Sequence, residues 1–359
     1  MQLRGPQREG QHIEEPISAA LASSCCGGAS LRPSGPGRVR HRARPGLYGR
    51  QHAGLTAAVT RPPGAEFGGP SSAQLASELL GFAPETRVLI INADDLGMYP
   101  AINAPVIESI EQGVASSCSL MPPCPGAHQA LRLLKARPHI RFGIHLTLVS
   151  ESARLRFAPI TSPGRVASLL DRDGRFFTST ARASLLDHAR TEEVEVELRA
   201  QIDSVIAAGL APTHLDWHAL ADGGREDIFE LGLALAAEYG LAARVWLMPH
   251  RQLARQRGLP VVDHRFLDSF SLDPQTKPEH LGRLLHDLPR GLNEWAVHPG
   301  PSDPKTQAAD KGWRVRSSDL AYLTSQTAQD QLRQEGIVVI DYRGLQDAWR
   351  SANQPGGSG

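Results

Sequence analysis

The sequence predicts an α/β fold in which helices cover a parallel β-sheet that closes as a (β/α) barrel, either TIM-like or distorted. The first observation is an alternation of about eight strand candidates with helices over about 265 residues, which matches the repeat of such a barrel. The second is that polar side chains stand at the ends of several apolar strands. The third is the different composition of residues 1–84, which predicts a disordered N-terminal extension. An open doubly wound sheet is the alternative.

The composition is that of a chain with a packed core and no charge bias. Of the 359 residues, 41% are hydrophobic and 21% are charged, and the formal net charge is zero. A neutral chain argues against nucleic acid and membrane surfaces as partners, and no apolar run is long enough to span a bilayer. The four cysteines show no spacing typical of a disulfide framework or a zinc knuckle. This favours a reducing compartment, and we expect the protein in the cytoplasm.

The first part of the chain differs from the rest. Residues 1–84 are dominated by Gly, Pro, Ser, Ala and Arg and show no persistent hydrophobic period. This composition predicts a disordered extension, or translation begun upstream of the true start, and the small basic run at residues 38–44 leaves a binding arm as the alternative. Residues 71–80 can form a short helix. Because the composition changes near residue 84, we expect the folded domain at residues 85–350. A flexible tail is expected at residues 351–359.

The first strand candidate, residues 88–92, leads into two adjacent acids, Asp94 and Asp95. A short apolar run of this kind predicts a buried strand, and Gly97 lets the backbone turn after it. The C-terminal tips of such strands are where α/β enzymes place their chemistry. The alternative is that the two acids only cap the next helix.

Helices and strands then alternate up to a long irregular segment. Apolar residues at helical spacing predict helices at residues 101–112 and 128–136. Short apolar runs predict strands at residues 115–121, stopped by two prolines, and at residues 141–149. Residues 150–191 lack a clear period, and an insertion of this length is usually a lid, a binding loop or a subdomain.

The second half of the chain repeats the alternation. A helix with one apolar face is predicted at residues 191–208, and further helices at residues 227–239, 278–288 and 317–335. Strands are predicted at residues 213–220, 244–248, 261–266, 293–297 and 337–340. Gly240 and Gly336 end two of these helices, as expected of C-terminal caps. Strands that alternate with helices in this way predict a parallel sheet.

Polar side chains occur at or near the ends of four strand candidates. In chain order they are Asp94 and Asp95, then His145, then His214, Asp216 and His218, then Glu294 and His298. Because the C-terminal ends of parallel strands meet on one face of a barrel, four strands would deliver these side chains to one place. An acid or imidazole within an apolar strand is costly unless it is paired or bound. The pattern therefore predicts a functional site.

The residue types in this group favour a mononuclear metal site. One carboxylate and two imidazoles leave positions open for water and substrate, and a bound divalent cation lowers the pKa of water and polarises a carbonyl. A neighbouring carboxylate can take the proton of that water, and a histidine can protonate the leaving group. Serine-triad catalysis fits less well because no Gly-x-Ser-x-Gly motif occurs, and no glycine-rich nucleotide-binding motif follows a strand.

Four segments carry a resemblance to a known family. They are residues 92–97 (Asn-Ala-Asp-Asp-Leu-Gly), 143–146 (Gly-Ile-His-Leu), 213–218 (Thr-His-Leu-Asp-Trp-His) and 298–300 (His-Pro-Gly). In this order they resemble the motifs of the YdjC-like carbohydrate deacetylases, which include chitooligosaccharide deacetylase, and the likeness covers residues 87–350. The resemblance implies a barrel-like fold related to polysaccharide deacetylases and a divalent metal ion. It also implies hydrolysis of the acetamide of an N-acetylated sugar to acetate and a free amine.

The same resemblance implies roles for individual residues. Asp95, His145 and His218 match the metal ligands, for one Zn²⁺ or Mg²⁺ ion. Asp94 matches the general base and His298 the acid of the His-Pro-Gly motif, although the sequence does not decide which of the two aspartates faces the metal. Arg316 resembles a family arginine that orients site carboxylates or substrate. Apart from the resemblance, we expect Asp216, Glu294 and His214 to bind substrate or to support the ligands, with a structural role in the core as the alternative for His214 and Asp216.

The chain departs from the family pattern at two places. Leu96 stands where the family usually has Phe, and residues 217–220 replace a Ser followed by histidines. His218 is then the natural ligand of its strand, and Trp217 is expected to pack in the fold. The expected partner is a small N-acetylated saccharide or, in a divergent branch, another acylated substrate. A metal-dependent sugar isomerase and a non-catalytic carbohydrate-binding protein are the alternatives, and the sequence leaves the oligomeric state open, a homodimer included.

Overall fold

A computed structural model describes residues 74–353 of the chain. The expectations for residues 1–73 and for residues 354–359 lie outside the described residues, so the disordered extension and the domain boundaries stay predictions. The short helix expected before the first strand is present as α1 (Ala76–Leu79). The carboxylate of Asp263 accepts the N–H of Ala76 at 2.9 Å and fastens this helix to the domain.

Strands and helices alternate along the described residues, as the sequence predicts. The strands are β1 (Arg87–Leu96), β2 (Ser117–Leu120), β3 (Phe142–Leu146), β4 (His214–Trp217), β5 (Ala242–Ala243), β6 (Leu267–Asp268), β7 (Gly291–Val297) and β8 (Val338–Val339). The remaining α-helices are α2 (Pro100–Glu111), α3 (Ala127–Lys135), α4 (Arg182–His188), α5 (Thr191–Ala207), α6 (Glu226–Glu238), α7 (Met248–Gln256), α8 (Lys277–His286), α9 (Pro304–Ala309), α10 (Trp313–Leu323), α11 (Gln326–Gln334) and α12 (Arg343–Asn353). Among residues 74–353, no helix combines the length and the apolar character needed to cross a membrane.

All eight of these strands belong to one parallel sheet, and β1 lies near its centre. The order is β5-β4-β3-β2-β1-β7-β6, and β8 pairs with the first half of β1. Along one edge β1 pairs with β7, and along the other its second half pairs with β2. Every residue of β1 after Arg87 is buried. This explains why the strand reads as an apolar run that is interrupted before its acids only at Asn92.

The sheet is a partial, distorted barrel. Strands β1 to β7 follow the cyclic order of a (β/α) barrel, without the reversal of direction that defines a doubly wound sheet, whereas β8 lies on the β2 side of β1. Within the described residues no main-chain pairing joins β5 to β6, so the ring stays open there. Both strands are only two residues long, which is too short for a continuous ladder. The rings of Trp246, after β5, and Phe266, before β6, contact each other with centroids 4.5 Å apart, so side chains pack between the two unpaired ends.

The strand expected at residues 244–248 is wrong. β5 ends at Ala243, and α7 begins where the strand was expected to finish. The carboxylate of Asp222 accepts the backbone N–H groups of Trp246 and Leu247 at 2.7 Å each. These donors are therefore not available to a neighbouring strand, and the segment leaves the sheet.

Two further expectations differ from the structure. No strand forms at residues 261–266, and β6 follows directly after them. Asp263 instead anchors that segment through its carboxylate, which accepts the N–H of Leu292 at 2.7 Å. The single helix expected at residues 317–335 is two helices, α10 and α11. Ser325 separates them and caps the second by accepting the N–H of Ala328 at 3.1 Å.

The insertion at residues 150–191 is packed onto the barrel. It consists of 3₁₀ turns and α4, and its side chains Phe157 and Phe176 are fully buried in the core. Glu197 on α5 accepts the N–H groups of Ile160 and Thr161 at 3.0 Å each. These contacts hold the insertion against the edge of the sheet where β3 ends.

Candidate metal and catalytic site

Five of the side chains singled out in the sequence lie together at the C-terminal edge of the sheet. They are Asp94 and Asp95 at the end of β1, His145 in β3, His218 after β4 and His298 after β7. All five residues are at most 7% exposed. Parallel pairing sets the strand ends side by side, so the structure brings together the group that the strand ends predict.

Asp95 presents one carboxylate oxygen to two imidazole rings. Its Oδ1 lies 3.4 Å from Nε2 of His145 and 3.2 Å from Nδ1 of His218, and its Oδ2 accepts a 2.8 Å hydrogen bond from Arg316. Burial alone would raise the pKa of Asp95, but the Arg316 charge and the two histidines lower it well below its usual value. The backbone of Asp95 has a φ of +70°, a left-handed conformation that non-glycine residues rarely adopt. Strained conformations of this kind cluster at functional sites.

His145 is held by Asp216 on the far side of its ring. Oδ1 of Asp216 lies 2.8 Å from Nδ1, which leaves Nε2 facing Asp95. Burial lowers the pKa of His145, but the charges of Asp216 and Asp94 outweigh burial and raise it to about 10. A ring made this basic by a carboxylate partner binds a cation, whether a proton or a metal ion, more strongly than a free imidazole does.

Asp94 faces a guanidinium group. Arg244 donates to both of its oxygens at 2.8 and 2.9 Å, and Asn92 donates to Oδ1 at 2.7 Å. Its Oδ2 lies 4.0 Å from Nε2 of His145 and 3.9 Å from Nε2 of His298. Burial opposes the charge on Asp94, but Arg244 and His145 outweigh burial and lower its pKa. The two adjacent aspartates therefore have different partners and different surroundings.

Arg244 belongs to the site although the sequence did not single it out. It follows β5, is buried, and forms ion pairs with three acids, at 2.8 Å to Asp94, 3.1 Å to Asp216 and 2.8 Å to Glu294. A buried group of acids needs a compensating cation, so the excess of acids at the strand ends was the available signal. The incorrect strand prediction at residues 244–248 made Arg244 the first residue of a strand. In the structure Arg244 instead follows the C-terminal end of β5, on the side of the site.

Two more charged residues lie around Asp95 and His218. Arg316 is fully buried and donates to Asp95 at 2.8 Å and, through Nε at 2.7 Å, to Asp310. Glu151, in the insertion after β3, has Oε2 3.4 Å from Nε2 of His218. Burial raises the pKa of Glu151, but its interaction with His218 outweighs burial and lowers it. No sequence pattern pointed to Glu151, which lies in an irregular segment.

Glu294 and His214 lie apart from the Asp95 cluster. Oε1 of Glu294 accepts hydrogen bonds from Arg244 at 2.8 Å and from Tyr342 at 2.6 Å, and burial raises its pKa. The ring of His214 stacks on Tyr342 with centroids 3.6 Å apart, and burial lowers its pKa to about 3, so it is neutral. Gly143 provides the room, because a Cβ there would overlap the His214 ring. Both side chains pack under the site.

His298 presents one ring nitrogen to a serine and the other to Asp94. Oγ of Ser269 lies 2.9 Å from Nδ1, and Nε2 lies 3.9 Å from Oδ2 of Asp94. The backbone N–H of His298 donates to Asp319 at 2.8 Å, and the ring of Phe270 packs edge-on with centroids 4.6 Å apart. Nε2 is therefore the ring atom on the side of the acid cluster.

Two groups of described side chains have the spacing to surround a metal ion. The first consists of Asp95, His145 and His218, and the second of Asp94, His145 and Asp216. In the second group Arg244 already compensates both acids. In the first, one carboxylate oxygen and two imidazole nitrogens lie within 4.8 Å of one another, and Nε2 of His145 and Nδ1 of His218 both face Oδ1 of Asp95. This donor set is the kind that holds Zn²⁺ and similar divalent ions, so the first group fits a metal.

Comparison with known proteins adds an independent observation. The profile of a family described as YdjC-like protein matches residues 88–334. A carbohydrate deacetylase of Geobacillus stearothermophilus is 32% identical over 258 residues, which cover 72% of this chain and 97% of the relative. A carbohydrate deacetylase of Thermoanaerobacter pseudethanolicus is 28% identical over 256 residues, which cover 71% of this chain and 98% of the relative. A crystal structure of an Enterococcus faecalis protein that was assigned to cellobiose-phosphate cleavage superposes with a TM-score of 0.63 at 27% identity, covering 72% of this chain and 99% of that one.

Proposed function

The chain belongs to the family of YdjC-like proteins, and on that premise we propose that it is a metal-dependent carbohydrate deacetylase, which removes the acetyl group from an N-acetylated sugar or short oligosaccharide. The membership confirms the resemblance of the four sequence motifs. The observation that carries the chemistry is the convergence of His145 and His218 on a single oxygen of Asp95, with a second, separately bonded carboxylate beside it.

In this proposal Asp95, His145 and His218 hold one divalent ion. Arg316 donates a hydrogen bond to Oδ2 of Asp95, and the carboxylate of Asp216 is hydrogen-bonded to Nδ1 of His145. These contacts leave Oδ1 of Asp95 and Nε2 of His145 facing the same point, which supports their role as ligands. A divalent cation held by these residues would polarise the acetamide carbonyl and make the attacking water more acidic.

Asp94 is the general base of the proposed reaction. Its partners Arg244 and Asn92 keep it ionised and fix its orientation, and a carboxylate in this state accepts the proton of the water that attacks the acetamide carbon. The close contact with Arg244 also argues against Asp94 as a ligand, because a guanidinium bonded to both oxygens already satisfies the charge.

His298 is the general acid of the same reaction. The leaving group of an acetamide is an amine, which must receive a proton when the C–N bond breaks. Nε2 of His298 and Oδ2 of Asp94 are 3.9 Å apart, so the group that takes a proton from water and the group that gives one to nitrogen border the same space. The products are acetate and a sugar with a free amine.

Removal of the metal tests the proposal. We expect acetate release from N-acetylglucosamine and its short oligomers, loss of that activity with a chelator, and recovery when Zn²⁺ or Mg²⁺ is added back. Acetate is measured by a coupled assay, and one metal ion per chain is expected by elemental analysis. Acetate release that persists in a chain stripped of metal would contradict the metal site, and unchanged sugar in every metal-loaded reaction would contradict the deacetylase.

Arg244 is expected to set the acidic limit of the activity. Because Arg244 lowers the pKa of Asp94 against the effect of burial, Arg244→Met should raise that pKa by about 1–3 units. The base works only when it is deprotonated, so the acidic limb of the profile of kcat/KM against pH should move to higher pH by the same amount. Arg244→Lys keeps a positive charge and should move the limb less.

The matched control for Arg244→Met is Arg199→Met, which removes a surface arginine that pairs with Glu195 and Glu238. Its pH profile should equal that of the wild type. An Arg244→Met protein that loses rate equally at every pH, with an unmoved limb, would show that Arg244 does not control the ionisation of the base.

A further inference from the structure

A completely buried lysine lies behind His298. Lys277 begins α8, and its Nζ donates to Oδ1 of Asp319 at 2.6 Å, with both side chains 0% exposed. A second contact reaches the carbonyl oxygen of Val315 at 3.3 Å. Lysine is almost never fully buried unless it is paired, because removing its charge from water is costly. The pair therefore calls for a reason beyond the packing of the helix.

Asp319 links this lysine to the candidate acid. Its second oxygen, Oδ2, accepts the hydroxyl of Ser269 at 2.5 Å and the backbone N–H of His298 at 2.8 Å. Together with Lys277, three donors point at one carboxylate. The carboxylate of Asp319 acts only as an acceptor in these hydrogen bonds. The hydroxyl of Ser269 has a single hydrogen, and it donates that hydrogen to Asp319.

The direction of these hydrogen bonds decides the tautomer of His298. Oγ of Ser269 lies 2.9 Å from Nδ1 of His298 and has no hydrogen left, so it can only accept, and Nδ1 must carry the hydrogen. We propose that Lys277, Asp319 and Ser269 are positioning residues that fix a proton on Nδ1 of His298, so that Nε2 is the atom that exchanges protons with the substrate. This inference rests on the proposed role of His298 as the acid.

The other groups near the ring agree with this assignment. Oδ1 of Asp268 is 3.9 Å from Nδ1 but already accepts the N–H of Phe270 at 2.8 Å. On the opposite side, Oδ2 of Asp94 is 3.9 Å from Nε2. With its hydrogen on Nδ1 directed at Ser269, the ring presents the lone pair of Nε2 on the side of the acid cluster. Lys277 compensates the charge of Asp319, so the positioning carboxylate stays paired whether the ring is charged or neutral.

The test reads the tautomer directly. The Zn²⁺-loaded full-length protein is labelled with ¹⁵N-histidine, and long-range ¹H–¹⁵N NMR correlations are recorded at a pH where the ring is neutral. The His298 signals are those missing from His298→Gln. We expect a hydrogen on Nδ1 and an unprotonated Nε2 in the wild type, and a loss of that preference in Ser269→Ala. A hydrogen on Nε2 in the wild type, or an unchanged tautomer in Ser269→Ala, would overturn the inference.

Ser109→Ala is the matched control, because it removes another fully buried hydroxyl, bonded to the carbonyl of Val106 in α2. It should leave the His298 signals unchanged. With N-acetylglucosamine oligomers, Ser269→Ala should lose about 10–100-fold in kcat at nearly constant KM, as expected when a general acid is misaligned. If the tautomer is as expected but the wild type releases no acetate, the positioning residues stand and the proposed function fails. Acetate release with the opposite tautomer gives the reverse conclusion.

Discussion

Replacing either His145 or His218 with alanine is expected to remove the metal ion and to reduce acetate release by about 10³-fold or more. Loss of a partner that only supports a ligand typically costs about 10–100-fold in metal affinity or activity, and loss of a ligand costs more. Each histidine supplies one of three donors around a single point, so two donors remain in either variant. Elemental analysis of the purified variants and their acetate release give the two readouts.

His139→Ala provides the matched control. His139 is 64% exposed and precedes β3, so it lies toward the opposite end of the strand from His145. This variant should keep one metal ion per chain and full activity. Thermal unfolding of all three variants separates loss of metal from loss of fold. An alanine variant of His145 or His218 that retains the metal and the activity would contradict the assignment of that histidine.

Asp94→Asn is expected to reduce kcat by about 10²–10⁴-fold while the metal remains bound. Asparagine has nearly the shape of aspartate and keeps an oxygen that can accept from Arg244, but it cannot take a proton from water. Arg244 retains its ion pairs with Asp216 and Glu294, so the buried arginine is not left without a partner. Metal content and acetate release should be measured on the same preparation.

Asp95→Asn should give the reverse result. It weakens one of the three donors to the metal, so we expect metal loss and, with it, loss of activity. If Asp94→Asn loses the metal while Asp95→Asn retains it, the roles of the two aspartates are exchanged.

The positions of the five convergent acids and histidines could be predicted because they sit at the ends of strands. Once the strands are known to be parallel, residues far apart in sequence, such as Asp94 and His298, must come to one edge of the sheet. The buried part of β1 begins with a clear apolar run at residues 88–91, and all of β7 is buried although Asn293 and Glu294 interrupt its apolar residues. Elements of this kind are specified by local pattern, and their predicted positions agree with the structure.

The missed residues come from segments without such a pattern. Arg244 follows a strand of two residues, whose continuation is prevented by the carboxylate of Asp222 bonding to the backbone ahead of it. Lys277 is the first residue of a helix, and Asp319 lies inside a helix whose start and end were both misplaced. Their roles depend on tertiary contacts that no sequence period records.

The adjacent aspartates show what side-chain partners add to a motif. In the sequence Asp94 and Asp95 are equivalent acids. In the structure Asp95 shares one oxygen with two imidazoles, whereas Asp94 is bonded through both oxygens to Arg244. This difference depends on Arg244 and Arg316, which arrive from distant parts of the chain, so it could not be predicted from the motif itself.

One reaction tests the proposed chemistry most directly. The metal-loaded protein is incubated with N-acetylglucosamine oligomers, and acetate and free amine are quantified together with the remaining sugar. Hydrolysis of the acetamide predicts acetate and amine in equal amounts, with both formed about 10²–10⁴-fold more slowly by Asp94→Asn. A sugar that is isomerised, or bound without change, while no acetate appears would contradict deacetylation and favour an isomerase or a carbohydrate-binding protein on the same barrel.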